Sequence, residues 1–135
     1  MQTYARTVPP SQMMLWTGRV MSTLVVLFLL FDSVAKLIKI DPVVQSFAAL
    51  GYPDALARGI GVIVLACALL YAIPRTSVLG AILLTGLLGG AISSHLRVGD
   101  PLVSHVLFGV YLGVLAWGGI FLRDDRLRAL IPMRA

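Results

Sequence analysis

The sequence predicts an all-α protein, a bundle of four transmembrane helices with both termini on the cytoplasmic side. Two observations carry this. Of 135 residues, 59% are hydrophobic and only 13% are charged, about half the charged share of a soluble domain. The apolar residues also fall into four runs separated by short polar breaks. A soluble chain of this length needs a polar surface, and this one has too little polar sequence to build it. Lipid removes the need.

Residues 1–13 are mixed polar, include Pro9–Pro10, and read as a cytoplasmic arm. The membrane domain covers 14–122. Its first span is expected at 14–38, most apolar over Val20–Phe31. About 20 residues at 1.5 Å rise cross the hydrocarbon, so the run is long enough. Arg19 and Ser33-Val34-Ala35 imitate a cleavable signal, but the apolar run continues to Ile38 and reads better as a span. Turn signals at Asp41–Pro42 and Gly51-Tyr52-Pro53-Asp54 flank a stretch suited to a short interfacial helix. The second span is placed at 56–73. Pro74 stops it, and Thr76 or Ser77 is expected to cap the third span at 78–96. Arg97-Val98-Gly99-Asp100-Pro101 forms the next turn, with Pro101 placed to start a fourth span at 102–122. Residues 123–135 form a charged cytoplasmic tail.

Orientation follows from the basic residues. Arg6, Arg19, Arg75, Arg123, Arg126, Arg128 and Arg134 fall on one side, and Lys36, Lys39, Arg58 and Arg97 on the other. The richer side belongs in the cytoplasm, and Trp16 and Trp117 lie toward it as interfacial aromatics. A bacterial-type inner membrane is the expected location. The net charge of +5 flanks apolar runs without interleaved aromatics, which fits anionic lipid headgroups and not nucleic acid.

Within a membrane, close backbone approach drives helix pairing. Gly86 and Gly90 on the third span, and Gly109 and Gly113 on the fourth, share the G-x-x-x-G spacing and are expected to make a close crossing, within one chain or in a homo-oligomer. Cys67 is the only cysteine and lies mid-span, which excludes an internal disulfide, a C-x-x-C redox pair or a thiolate cluster.

The ionisable residues within the spans are the best site signal, because each is costly in lipid. Asp32 and Lys36 share a face of the first helix, four residues apart. Arg58 opens the second helix, His95 closes the third just before Arg97, and His105 lies in the first turn of the fourth. These groups meet at the non-cytoplasmic end and form the candidate ligand pocket, with Asp32 turned inward. The opposite end is expected to hold charges only in loops and tails. No catalytic residue is marked. The two histidines lack a recognised metal-ligand spacing, and the surrounding cations oppose a metal.

Phe31-Asp32-Ser33-Val34-Ala35-Lys36-Leu37, the Pro74-Arg75-Thr76-Ser77-Val78-Leu79-Gly80-Ala81 run, and Gly89-Gly90-Ala91 with His95 and Arg97 resemble the DoxX-like family of small four-helix membrane proteins. The resemblance spans residues 15–122. It implies, at matching positions, roles for Asp32, Lys36, His95 and Arg97. The family takes its name from a subunit of a thiosulfate:quinone oxidoreductase, and the fold is similar to bundles that bind sterol-like ligands. No resident cofactor is evident in the sequence, so a redox role would require a diffusible quinone or a redox partner protein. Three functions compete: a quinone-binding subunit, a non-catalytic scaffold or assembly subunit, and a small lipophilic-ligand transporter.

Overall fold

The protein was analysed as a computed structural model, which describes residues 11–130. The arm at residues 1–10 and the last five residues of the tail lie outside it. Every described element is helical.

Helix α1 (Gln12–Ile38) begins where the Ser11 hydroxyl accepts the Met14 N–H at 3.2 Å, the usual N-cap arrangement. It runs 27 residues without a proline and ends at Lys39, whose backbone adopts the left-handed conformation (φ 53°) while its N–H bonds the Ala35 carbonyl. Helix α2 (Asp41–Leu50) starts at once, with Asp41 and Pro42 in its first turn, and ends at Gly51 with φ 80°. Only glycine adopts that conformation without a Cβ penalty. Helix α3 (Leu56–Ala72) follows, with 17 residues. A 3-10 turn at Pro74–Thr76 leads into α4 (Ser77–Arg97).

The caps expected at that junction differ. Thr76 and Ser77 give α4 no side-chain cap. Instead the Thr76 hydroxyl donates to the Leu70 carbonyl at 2.7 Å, and the Ser77 hydroxyl to the Tyr71 carbonyl at 2.7 Å. Pro74 has no N–H to offer α3, so the final carbonyls of α3 take donors from the next helix. Gly99 (φ 74°) turns the chain again. The fourth apolar segment opens not as an α-helix but as a π-helical turn, Leu102–Val106, closed by the Val106 N–H on the Pro101 carbonyl. Helix α5 (Phe108–Arg123) follows, then α6 (Asp125–Leu130).

Helix α1 packs on α3 and α5, and α4 packs on the same two, which closes a ring of antiparallel neighbours. Val25, Leu29, Val64, Ala68, Leu84, Leu112, Ala116 and Ile120 fill its centre. The outside stays apolar: Leu24, Leu27, Phe31, Val62, Leu83 and Val114 are among many exposed large hydrophobics. A continuous apolar belt of this kind belongs in lipid, not water. Three helical stretches are long and apolar enough to cross a membrane, at Gln12–Ile38, Pro74–Arg97 and Leu102–Arg123.

Within this chain the four glycines expected at a close crossing behave differently. A Cβ on Gly86 or Gly90 would meet nothing within 4 Å, so neither approaches another helix of this chain. Gly109 does sit close, with Ile92 at 2.8 Å from a built Cβ, whereas Gly113 has only ordinary contact with Leu88 at 3.7 Å. The tightest approaches lie elsewhere. At Gly80 a Cβ would fall 2.4 Å from the Tyr71 nitrogen, and at Gly119 it would fall 2.3 Å from the Ser22 hydroxyl. Gly80 thus lets α4 fold back on α3 directly after the 3-10 turn.

The end of the bundle holding the α1 and α5 junction is also less bare than the sequence implies. Tyr71 is buried there and its hydroxyl donates to the Ala116 carbonyl at 2.7 Å. That uses its only hydrogen, so the Ser22 hydroxyl at 2.9 Å must donate to Tyr71. One tyrosine thereby ties α1, α3 and α5 together. Trp117, expected as an interfacial anchor, instead donates its indole N–H to Thr85 on α4 at 2.8 Å.

Candidate functional site: a polar pocket at the histidine end

At the other end of the ring, the end of α1, the start of α3, the end of α4 and the start of α5 meet. Asp32 and Lys36, one turn apart on α1, form an ion pair. Their side chains are only 29% and 17% exposed. Facing lipid, a carboxylate at this depth has neither water nor partner, so it turns inward and Lys36 neutralises it.

His95, in the last turn of α4, faces the same space. Its Nδ1 lies 2.6 Å from an oxygen of the Asp100 carboxylate. An ionised carboxylate only accepts, so Nδ1 carries the hydrogen. In the neutral ring Nε2 is then the acceptor, and protonation turns it into a donor. The His105 ring lies edge-on to His95 with centroids 5.8 Å apart, and its Nδ1 is 2.8 Å from the Ser104 hydroxyl. The π-helical turn carries His105 into this position.

Two cavities flank the group. The inner one, about 200 Å³, lies among α1, α3, α4 and α5 and is lined by Asp32, Lys36, His95 and His105 over an apolar floor that includes Phe28 and Phe108. Those two rings pack at 5.1 Å. The outer one is a groove of about 630 Å³ under α2, walled by Phe47, Tyr52, Gly86 and Gly90 and lined again by Asp32, Lys36 and His95. The absent side chains of Gly86 and Gly90 leave room for this groove. Tyr52 holds its roof to α4: the Ser94 hydroxyl spends its hydrogen on the Gly90 carbonyl at 2.9 Å, so Tyr52 donates to Ser94 at 2.8 Å.

Of the residues expected here, Asp32, Lys36, His95 and His105 come together. Arg58 and Arg97 do not line either cavity. The Arg58 Nε donates to the Leu37 carbonyl at 3.3 Å, and Arg97 donates to the Leu50 carbonyl. Each long cation answers the unsatisfied carbonyls at a helix C-terminus, where the macrodipole favours positive charge. Asp100, Tyr52 and Ser94 complete the site and carried no separate sequence signal beyond their turns. Asp100 reads as half of an Asp-Pro turn, and only the fold bends it back onto His95. Among the described residues no three of His, Cys, Asp and Glu gather as a metal site.

A helical membrane protein with a polar pocket set in an apolar bundle is the class that this fold and site define. The model of the DoxX-like family matches residues 20–119, and the chain belongs to that family. No curated protein and no solved structure shows a significant match.

Proposed function

We propose that this protein is a four-span subunit of a bacterial inner membrane, with both termini in the cytoplasm, that binds a lipophilic carbonyl-bearing molecule of the quinone class in the histidine-end cavities. In this reading α3 is the fourth span: its 17 residues sit at the lower limit of about 17–25 for a crossing helix.

One observation carries the ligand reading. The Asp32, Lys36 and His95 group lines both cavities, so a polar centre stands between two apolar spaces. That matches a ligand with a polar ring and an apolar tail. The groove falls within the roughly 300–1,000 Å³ typical of small-molecule sites. Lys36 keeps hydrogens beyond the one given to Asp32 and offers them to a ligand oxygen. His95 Nε2, set by Asp100 on the far side of the ring, is placed to exchange a proton with that oxygen. Electrons would come from a partner protein, which the family's link to a quinone oxidoreductase subunit favours.

Mass spectrometry of lipids that copurify with the detergent-solubilised protein tests this. A near-stoichiometric quinone that is lost in His95→Ala supports the proposal. Bulk phospholipid alone, unchanged by the substitution, would overturn it in favour of a scaffold.

A further inference from the structure

The opposite end of the bundle holds a further cavity, about 280 Å³, between α1, α3 and α5. Arg19, Thr23, Tyr71 and Arg123 line it together with Val26 and Leu27. Among the described residues no acidic side chain does. Among the described residues the Nε of Arg123 is buried without a hydrogen-bond partner, a costly state for a charged donor.

The carboxylates near this end are engaged elsewhere. The chain has six aspartates and no glutamate, and only Asp124 and Asp125 lie at this end. Asp124 accepts the backbone N–H of Arg126 at 2.9 Å, and Asp125 pairs with Arg128. The hydroxyl hydrogens are also committed, so these groups offer the cavity no donor. Thr23 donates to the Arg19 carbonyl at 2.7 Å, Ser22 to Tyr71, and Tyr71 to the Ala116 carbonyl. The donors left facing the cavity are two guanidiniums, Arg19 and Arg123. Arg19 is held above the Trp16 ring, with Cζ 5.4 Å from its centroid. Two guanidiniums without a carboxylate select an acceptor-rich anion, and their planar forks suit phosphate.

We infer that this cavity is a binding site for the headgroup of an anionic phospholipid. The choice of lipid over a free phosphate rests on Val26 and Leu27. They line the same cavity, and Leu27, 59% exposed, continues it onto the lipid-facing side of α1, where an acyl chain would lie. Basic clefts between membrane helices bind lipid headgroups in this way. The inference rests on the chain being embedded in a bilayer and is independent of the histidine-end ligand.

The test is native mass spectrometry of the full chain released from nanodiscs of phosphatidylcholine with increasing phosphatidylglycerol. Wild-type protein should retain phosphatidylglycerol in preference to phosphatidylcholine. Arg19→Gln should weaken that retention about fivefold, the effect of one basic side chain at an anionic surface. Arg123→Gln should weaken it at least as much; because Arg123 is half-buried and its variant is less sure to fold, the exposed Arg19 decides the matter. Arg58→Gln, at the other end, should leave retention unchanged. Wild-type retention in Arg19→Gln, or equal loss in Arg58→Gln, would overturn the site. Displacement of the lipid by inorganic phosphate would overturn the lipid assignment and leave a soluble-anion site.

Discussion

Replacing Gly80 and Gly86 separately by alanine asks whether the bundle is closed at the junction of α3 and α4 and open along the groove. Both glycines lie on α4, six residues apart, and both variants add one methyl group. At Gly80 the new Cβ falls 2.4 Å from the Tyr71 nitrogen, 2.7 Å from its Cα and 2.9 Å from the Leu70 carbonyl carbon. All three atoms are backbone, so no rotamer change relieves the clash. Overpacking of this kind costs about 1–3 kcal/mol, and here the helices must separate at the junction that Pro74 has already fixed. At Gly86 the same methyl meets nothing within 4 Å, and the helix gains about 1 kcal/mol from the better propensity of alanine. Gly80→Ala should therefore be less stable than Gly86→Ala by about 2–4 kcal/mol, the sum of those two effects. Unfolding in detergent with increasing dodecyl sulfate, followed by circular dichroism, measures the difference. Equal midpoints, or a less stable Gly86→Ala, would refute the packing described for α4.

The ion pair gives a second expectation. Asp32→Asn strands Lys36 in a half-buried site and should cost about 1–2 kcal/mol, less than a fully buried pair because both groups keep some exposure. Adding Lys36→Met should recover most of that loss in the same unfolding assay. Lys39→Gly should stabilise the protein by about 1 kcal/mol, since glycine removes the left-handed penalty and the Lys39–Asp54 contact is long, at 3.8 Å, with Asp54 exposed, and so worth little; a lower midpoint would count against the left-handed cap. Tyr52→Phe should cost about 0.5–1.5 kcal/mol and raise proteolytic nicking of the loop after α2, because the roof of the groove loses its bond to Ser94. A reporter active only in the periplasm, fused at Ala135, should be silent; strong activity there would overturn the proposed topology.

Most of the helical layout is legible in the sequence because lipid enforces it. Runs of apolar residues and their Pro and Gly breaks match α1, α3 and α4 to within two residues, whereas α5 begins at Phe108, six residues after the expected start, because a π-helical turn precedes it. The polar group is legible for the same reason: Asp32, Lys36 and His95 stand out in apolar runs. Rotation is not legible. Helix α4 is apolar on every side, so nothing in its pattern distinguishes Gly80, which touches α3, from Gly86 and Gly90, which wall a groove. Long side chains mislead in a different way. Arg58 and Arg97 sit at the right depth for the pocket, but each reaches several ångströms to a helix end. Arg123 does the reverse, standing in a tail-like run and folding its Nε inward. The hydroxyls of Thr76 and Ser77 have the right spacing to cap α4, yet the proline before them leaves a stronger demand behind.

The π-helical turn at Leu102–Val106 has a consequence for how this site could arise and be lost. Such a turn is equivalent to an α-helix carrying one inserted residue, and it recurs at functional sites. With 3.6 residues per turn, removing that residue would rotate everything before it by about 100° relative to α5. His105 would leave the edge of His95 while every downstream core contact, from Gly109 to Ile120, stayed in register. The pairing of the two histidines is therefore set by a single unit of chain length, and a one-residue deletion between Pro101 and Phe108 would separate the pocket from the bundle that carries it.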